Sequence, residues 1–315
     1  MADLRQDASS GKPAGSAKIG LIRLFLALAA VLLFFMPAAA GARQVVDQVG
    51  RTVEVANRPQ RVVALAPNVA ELVFLLGRGE LLKGATQFSN EPPAARDLPR
   101  VGSYVRLDLE KIVALKPDLC LAVKDGNPLP VIERLAGLGI AVYVVDPQHL
   151  EDIMSVVTGL GDLLGAREKA EEIVAGMRHR IARVTGLVAG STTRPRVFFQ
   201  IDASPIVSAG SRTFIDELIT RAGGENLAGD ASGYRRFGWE EILRLAPEVV
   251  IVASMAGGHS EADLKSGWRK WPQIPAVRNG RIHVLPADLV DRPTPRLVDG
   301  LEAFARIIHP ELFDE

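Results

Sequence analysis

A segment of fourteen residues occurs twice in the chain, and this internal repeat constrains the fold more than any other feature. Residues 109–122 align without a gap on residues 239–252, and both copies share a glutamate, two adjacent aliphatics, a leucine, a proline, an acid and then an apolar run. The pattern predicts a short helix that stops near the proline and is followed by a buried strand. Two such copies predict two similar lobes with a ligand cleft between them.

The first 42 residues have the features of a secretory signal peptide. Basic residues precede an unbroken apolar run from Leu24 to Met36, and small residues follow Pro37 up to Ala42. The apolar run is shorter than the roughly 20 residues that a membrane-spanning helix needs. We therefore assign residues 1–42 to a signal peptide that is cleaved near Ala42, with an uncleaved membrane anchor as the alternative.

Cysteine usage and charge exclude several classes of protein. The single cysteine, Cys120, falls inside a predicted strand, so neither a disulfide framework nor a lipid-modified cysteine at the signal junction is expected. The chain has 37 basic and 37 acidic residues. Because the signal segment is basic, the mature part carries a slight net negative charge, and no nucleic-acid partner is expected.

Predicted strands and helices alternate along both halves of the mature chain, which favours mainly parallel sheets covered on both faces. In the first half the predicted strands are 61–66, 82–88, 119–123 and 140–145, and the helices are 69–76, 107–115 and 129–138. In the second half the strands are 196–201, 249–253 and 281–285, and the helices are 212–221, 239–245 and about 295–308, with Pro295 in the first turn of the last.

The segment 149–190 contains no proline, and from Glu168 onward its apolar residues recur at spacings of three and four. About 20 helical residues extend roughly 30 Å. The predicted fold is therefore α/β, with two Rossmann-like lobes, 43–148 and 191–315, joined by one long α-helix in the connector 149–190, and with the ligand cleft between the lobes. One stiff connector predicts modest closure on ligand binding.

The chain resembles the class III periplasmic binding proteins of ABC importers, which have a helical backbone between their lobes and serve vitamin B12, iron siderophores and haem. The motifs that carry the resemblance are residues 109–119, the Asp125-Gly126-Asn127 loop and the Asp-Arg-Pro-Thr-Pro-Arg segment 291–296, within a similarity that covers about 58–310. It is greatest to the members that bind vitamin B12. The resemblance implies a periplasmic location and a metal-chelate ligand, a corrinoid or alternatively a ferric siderophore or haem. It also implies delivery of that ligand to an ABC permease dimer with its cytoplasmic ATPase.

The same resemblance assigns a role to one glutamate in each copy of the repeat. In the family, a glutamate at the top of each lobe docks onto arginines of the permease, and the matching residues here are Glu110 and Glu240. Each is expected in the first turn of a short helix, where the helix dipole favours a carboxylate and an exposed acid can bind an arginine through two hydrogen bonds. The alternative is that both glutamates only stabilise the start of a helix.

The resemblance also implies a pocket formed by loops at the strand ends. Three aromatic residues match aromatic positions of the corrinoid-binding members, which have tryptophan at the last two of them and another tryptophan at the position of Val123. Four polar residues are added from their placement in loops. The candidate ligand-binding residues are Phe88, Tyr104, Tyr234, Asn68, Asn127, Asp288 and Arg292. Beside Tyr234, the pair Arg235-Arg236 could face an anionic siderophore or a haem propionate, whereas Trp268 and Trp271 are expected to fix a loop to the second lobe.

No pattern in the sequence supports catalysis. The five histidines are scattered without metal-ligand spacing, so no metal site and no resident cofactor are expected. The chain has neither a phosphate-binding loop for ATP nor a nucleophile elbow, so ATP hydrolysis must belong to a partner. A chelatase-like enzyme with similar paired lobes is the alternative from another class.

Overall fold

The computed structural model describes residues 41–203, 205–254 and 260–313. The predicted signal peptide, except for its last two positions, and His259 lie outside the described residues. Residues 42–315 form one compact unit, so the lobe boundaries near 148 and 190 stay predictions. Within the described ranges, none of the helices combines the length and the apolar character that a membrane span requires.

The N-terminal half contains short strands of two to five residues. They are β1 (Ala42–Val46), β2 (Thr52–Ala56), β3 (Val62–Ala64), β4 (Leu82–Gly84), β5 (Gly102–Ser103), β6 (Arg106–Leu107), β7 (Leu119–Val123) and β8 (Ala141–Val145). A parallel sheet has the order β4-β3-β7-β8, while β1 pairs with β2 and β5 with β6 as antiparallel ribbons.

Strand β7 shows why this sheet is covered on both faces. Its side chains alternate between two apolar clusters: Leu119 and Leu121 belong to one, and Cys120 and Ala122 belong to the other. Alternation is the normal geometry of a strand, and burial on both faces requires the continuous apolar run that the sequence contains. Burial also raises the pKa of the Cys120 thiol to about 12, so this thiol is unreactive at neutral pH.

The C-terminal half contains a second parallel sheet and a smaller antiparallel one. Its strands are β9 (Arg196–Gln200), β10 (Asp202–Ala203), β11 (Ile206–Ala209), β12 (Glu225–Asn226), β13 (Tyr234–Phe237), β14 (Val249–Ser254) and β15 (Ile282–Pro286). The parallel sheet has the order β12-β9-β14-β15, and the antiparallel sheet, which the sequence did not predict, has the order β10-β11-β13. The predicted α/β architecture with two parallel sheets is confirmed.

Helices cover the faces of both parallel sheets. They are α1 (Pro67–Leu75), α2 (Leu109–Ala114), α3 (Leu129–Gly137), α4 (Leu150–Leu164), α5 (Arg167–Val188), α6 (Phe214–Arg221), α7 (Trp239–Leu245), α8 (Glu261–Arg269), α9 (Pro275–Arg278) and α10 (Leu297–Ile308). Short 3-10 helices lie at Gly79–Leu81, Pro93–Asp97, Ala287–Leu289 and Pro310–Leu312.

Both copies of the internal repeat adopt the same local structure. The first forms α2 and then β7, and the second forms α7 and then β14; each strand is an inner strand of its parallel sheet. In each copy a left-handed residue directly precedes the proline, with φ of 50° at Lys116 and 43° at Ala246. The residue before a proline is disfavoured in the right-handed helical region, so the shared proline ends each helix and turns the chain into the strand.

The predicted connector contains two helices rather than one. Helix α5 is the predicted long helix, with Ala170, Val174, Met177 and Ile181 buried along one face. Before it, α4 ends at Gly165, which has a left-handed φ of 68° and so closes the helix as glycine commonly does. A continuous buried cluster runs from β7 through α4 and α5 to β14, so the two halves share one apolar core along this connector.

Two other predictions about helices need correction. Pro295 is not in the first turn of the last helix, because α10 begins at Leu297. Trp268, expected in a loop, lies instead within helix α8. Its side chain is fully buried and donates its indole N–H to Gln200 at 2.6 Å. Ring contacts join Trp268 to Trp239, and Trp239 to Trp271.

Candidate functional site

A cavity with a volume of about 1040 Å³ is lined by residues from both halves of the chain. Its N-terminal wall uses residues that follow β3, β7 and β8, since the carboxyl ends of parallel strands meet at one edge of a sheet. Its C-terminal wall uses the segments 212–214, 232–234 and 287–293. The volume exceeds that of most pockets for drug-sized molecules, so the cleft has room for a large ligand.

The structure brings six of the seven predicted ligand-binding residues into the lining of this cleft. They are Phe88, Tyr104, Tyr234, Asn68, Asp288 and Arg292. Phe88 and Tyr104 form an edge-to-face pair with ring centroids 6.2 Å apart, and Tyr234 is 60% exposed on the opposite wall. Whether each of these residues contacts a ligand stays a prediction.

A glycine makes room for the ring of Tyr104. Gly126 has a φ of +125°, and a Cβ atom there would lie 2.8 Å from Cδ2 of Tyr104. Both the backbone conformation and the lack of space exclude a larger residue. The Asp125-Gly126-Asn127 loop, one of the motifs that carry the family resemblance, therefore helps to position the aromatic ring of Tyr104 in the cleft.

The seventh candidate, Asn127, lies behind the cleft lining instead of in it. Its Oδ1 accepts a hydrogen bond from the backbone N–H of Val123 at 2.8 Å, and its Nδ2 donates to the carbonyl oxygens of Leu65 and Tyr104, each at 2.8 Å. The side chain is buried and both amide donors are used. Asn127 thus holds the backbone of Tyr104 in place and has no donor left for a ligand.

Arg292 is engaged by two carboxylates of the protein. Its Nη2 lies 3.0 Å from Oδ1 of Asp288, and its Nη1 lies 3.9 Å from Oε2 of Glu71 in α1. Glu71 is buried, accepts a hydrogen bond from Thr294 at 3.2 Å and lies 3.8 Å from Arg296. Because α1 belongs to the N-terminal half, this cluster around the buried Glu71 joins the two halves next to the cleft.

Asp291 is a cleft residue that the sequence analysis did not identify as a ligand contact. Its Oδ2 is buried without a hydrogen-bond partner among the described residues. Burial raises the pKa of this carboxyl group to about 7, with a further contribution from Asp288 and an opposing one from Arg292. Desolvation, followed by the nearby Asp291 and Asp125, also raises the pKa of the Tyr234 phenol.

Arg212 and Asp125 line the cleft as well. The sequence placed Arg212 in a predicted helix, 212–221, but helix α6 begins at Phe214, so Arg212 lies in the loop before it. In contrast, the predicted basic pair Arg235-Arg236 does not belong to the lining. Arg235 is bound by Asp230 and Glu241 and lies over the ring of Phe237. Within the described ranges, no group of three or more His, Cys, Asp or Glu side chains could hold a metal ion.

Glu110 and Glu240 occupy equivalent places in the two halves, away from the cleft lining. Each is exposed in the first turn of its helix, Glu110 in α2 and Glu240 in α7. The predicted helical environment of both residues is confirmed. Their role in docking stays a prediction.

Comparisons with known proteins identify the family. The sequence profile of the periplasmic binding protein family matches residues 62–289. The vitamin B12-binding protein of Vibrio parahaemolyticus is 30% identical over 249 residues, which are 78% of this chain and 88% of that protein. Among solved structures, the periplasmic vitamin B12 binding protein of Vibrio cholerae has a TM-score of 0.72 at 28% identity, covering 82% of this chain and 99% of that one. A periplasmic heme binding protein from Pseudomonas aeruginosa has a TM-score of 0.73 at 31% identity, with coverages of 80% and 93%. This chain is therefore a member of the periplasmic binding protein family.

Proposed function

We propose that this chain is the exported substrate-binding protein of an ABC importer, and that it captures a corrinoid in its cleft. The observation that carries the proposal is the cleft of about 1040 Å³ with Phe88, Tyr104 and Tyr234 in its lining. Rigid aromatic faces bury a large, flat ligand at small entropic expense. The similarity to vitamin B12-binding proteins in sequence and in structure supports the corrinoid as the preferred ligand.

We further propose that the loaded protein delivers its ligand in the periplasm to a permease dimer, whose cytoplasmic ATPase supplies the energy. Glu110 and Glu240 would be the docking residues. The exposed position of each carboxylate at the start of a helix supports this role, since an arginine of a partner can approach it freely. The repeat also gives the two halves one such carboxylate each, as a partner with two equivalent subunits requires.

Haem is the second candidate ligand, and the hydroxyl group of Tyr104 favours it. Tyrosine is one of the side chains that ligate haem iron, and the Tyr104 hydroxyl makes no hydrogen bond to any residue that the structure describes. Tyr234 suits this role less well, because its raised pKa disfavours the phenolate form. The similarity to a heme binding protein at 31% identity supports this alternative.

Direct titration of the mature protein with cyanocobalamin and with haemin tests both candidates. The corrinoid proposal predicts saturable binding of cyanocobalamin by calorimetry and a much weaker response to haemin. The reverse order would replace the corrinoid by haem. Binding of neither compound would overturn the proposed ligand class.

Substitution of Tyr104 separates the two modes of binding within the same experiment. Tyr104→Phe keeps the aromatic face and removes the phenol oxygen, so a ligand held by ring contact should bind with little change. A haem held through the phenolate should bind more weakly and show a shifted absorption spectrum. Tyr143→Phe is the matched control, because Tyr143 is buried in β8 and lies outside the cleft lining.

A further inference from the structure

Some charged side chains of the cleft lining form ion pairs with other residues of the protein, and others do not. Asp146 is paired with Lys124 at 2.6 Å, and Arg292 is held between Asp288 and Glu71. Three charged residues of the lining, Asp125, Arg212 and Asp291, have side chains that make no hydrogen bond or ion pair with any residue in the described part of the chain. Asp125 is on the N-terminal wall, whereas Arg212 and Asp291 are on the C-terminal wall.

Arg212 is held in an unfavourable backbone conformation at this place. Its φ is +62°, in the left-handed region that residues other than glycine, asparagine and aspartate rarely adopt. Strained conformations of this kind persist only where the surrounding structure enforces them, and they concentrate at ligand-binding sites. At Lys116 and Ala246 the same conformation directly precedes a proline that ends a helix, whereas Arg212 lines the cleft, which points to a role in ligand binding.

Hydrogen bonds on both sides of Arg212 enforce its conformation. Before it, the backbone N–H and the hydroxyl of Ser211 both donate to the carbonyl oxygen of Ala231, at 2.8 and 3.1 Å. After it, Thr213 caps α6 by accepting from the N–H of Asp216 at 3.2 Å. Helix α6 is itself fixed to the connector, since Glu217 accepts from the N–H of Leu150 at 2.7 Å. The loop that carries Arg212 is thus rigid, which suits a preorganised contact.

We propose that Arg212 recognises an anionic group, a carboxylate or a phosphate, on the ligand of the cleft. This inference rests on the proposed function and adds the charge class of the ligand to it. A guanidinium binds both groups through two parallel hydrogen bonds. Arg292 lines the same cleft, but its charge is matched by Asp288 at 3.0 Å and by Glu71 at 3.9 Å. Arg212 has no acid paired with it among the described residues, so its positive charge is the one that a ligand anion can neutralise.

The test compares Arg212→Gln with Arg236→Gln, using cyanocobalamin, which carries a phosphodiester, and haemin, which carries two carboxylates. Arg236 is an exposed arginine of the same half, outside the lining, so its substitution makes the same change in net charge. For the probe that the wild type binds, Arg212→Gln should weaken binding by about tenfold or more, as loss of a charge-assisted hydrogen bond does. Arg236→Gln should bind the probe with the affinity of the wild type. Added salt should reduce the difference in affinity between the two variants, because salt screens the charge of Arg212.

Arg212→Gly separates ligand recognition from a structural role. Glycine adopts a φ of +62° without strain, so this variant should lose affinity as Arg212→Gln does while its melting temperature stays equal to or rises above that of the wild type. A lower melting temperature in Arg212→Gly would indicate a structural role and overturn the assignment. Equal affinities of Arg212→Gln and Arg236→Gln would overturn it too, while leaving the proposed function intact. If the wild type binds neither probe, both proposals fall together.

Discussion

The two walls of the cleft are built in different ways. On the N-terminal wall, the buried Asn127 uses both amide donors and Asp146 is paired with Lys124, while the unpaired Asp125 is exposed to solvent. On the C-terminal wall, Arg212 has no hydrogen-bond or ion-pair partner among the described residues, and Asp291 has a buried oxygen without a hydrogen-bond partner there. The N-terminal wall thus carries the Phe88–Tyr104 aromatic pair on a hydrogen-bonded support, with one exposed acid, Asp125. The C-terminal wall carries an unpaired arginine and a partly buried acid that a ligand can contact.

This difference suggests that the N-terminal wall contributes mainly to the affinity for the ligand and the C-terminal wall mainly to its specificity. A preformed aromatic face contributes contact area to any flat ligand, because little ordering is needed on binding. Unsatisfied polar groups discriminate, since a ligand that fails to match them leaves them desolvated without a partner. Substitutions in the N-terminal wall should therefore lower the stability of the protein as well as its affinity for the ligand. Substitutions in the C-terminal wall should mainly change how affinity depends on ligand charge and how stability depends on pH.

The largest expected effect is that of Asn127→Ala, which removes two buried hydrogen bonds and one partly buried hydrogen bond behind the N-terminal wall. The backbone N–H of Val123 and the carbonyl oxygens of Leu65 and Tyr104 would lose their partner. Each buried group left unsatisfied costs roughly 1 to 3 kcal/mol, and partial relaxation should leave a total loss of about 3 kcal/mol. Urea unfolding of this variant and of Asn57→Ala, an exposed control, measures the difference. A loss as small as that of the control would show that the wall does not depend on Asn127.

A smaller effect, expressed as pH dependence, is expected for Asp291→Asn on the C-terminal wall. The pKa of Asp291 is about 7 in the folded protein and near 4 in the unfolded chain. Between these values the folded protein binds a proton that the unfolded chain has released, so stability falls as the pH rises through this window. Asparagine does not titrate. Between pH 4.5 and pH 8 the wild type should therefore lose about 2 kcal/mol more stability than the variant, after allowance for partial exposure.

The control for this prediction is Asp125→Asn, which removes an exposed carboxylate of the opposite wall. Unfolding free energies of the three proteins at both pH values give the comparison directly. Parallel pH profiles for the wild type and Asp291→Asn would show that Asp291 is ionised in the folded protein throughout this range, and the contrast between the walls would then rest on Arg212 alone.

The elements that the sequence predicted best are those with strong local signals. Strand β7 and helix α7 have the bounds that were predicted for them, because a continuous apolar run and a proline delimit each copy of the repeat. The sheet β10-β11-β13 was missed, since its strands have only two to four residues and depend on non-local pairing. Apolar periodicity also could not reveal the break at Gly165, where a left-handed glycine separates α4 from α5.

In the candidate site, too, the features that depend on contacts between distant parts of the sequence could not be predicted. Aromatic residues of the cleft were predicted through a family resemblance, and the structure places all three in the lining. Asn127 was predicted as a ligand contact because it lies in a loop, but its hydrogen bonds to Leu65 and Tyr104 span 62 and 23 positions of the sequence. The availability of Arg212 likewise depends on which acids pack near each arginine, and that information exists only in the folded chain.

A third prediction isolates the contact between Gly126 and Tyr104. Gly126→Ala introduces a Cβ atom 2.8 Å from the Tyr104 ring at a φ of +125°, whereas Gly139→Ala introduces one into open space at a φ of +78°. Both changes incur backbone strain of order 1 to 3 kcal/mol, but only the first displaces the ring. Gly126→Ala should therefore destabilise the protein by about 1 kcal/mol more than Gly139→Ala and should also weaken ligand binding. Equal effects on stability and affinity would indicate that the ring moves aside freely.

The smallest thermodynamic effects are expected where the two halves are alike. Glu110→Lys and Glu240→Lys reverse an exposed charge at equivalent helix starts, so ligand affinity should not change and stability should fall only slightly, through loss of the favourable dipole interaction. Uptake by cells that contain the permease should nevertheless drop, because a lysine repels the arginines proposed to receive each carboxylate. An exposed contact contributes roughly 0.2 to 1 kcal/mol, so uptake should be reduced in the single variants and reduced further in the double variant.

The matched control is Glu133→Lys, an exposed charge reversal on α3. Uptake by the double variant equal to that of the control, at unchanged ligand affinity, would refute docking through these residues and would leave helix-start stabilisation as their role.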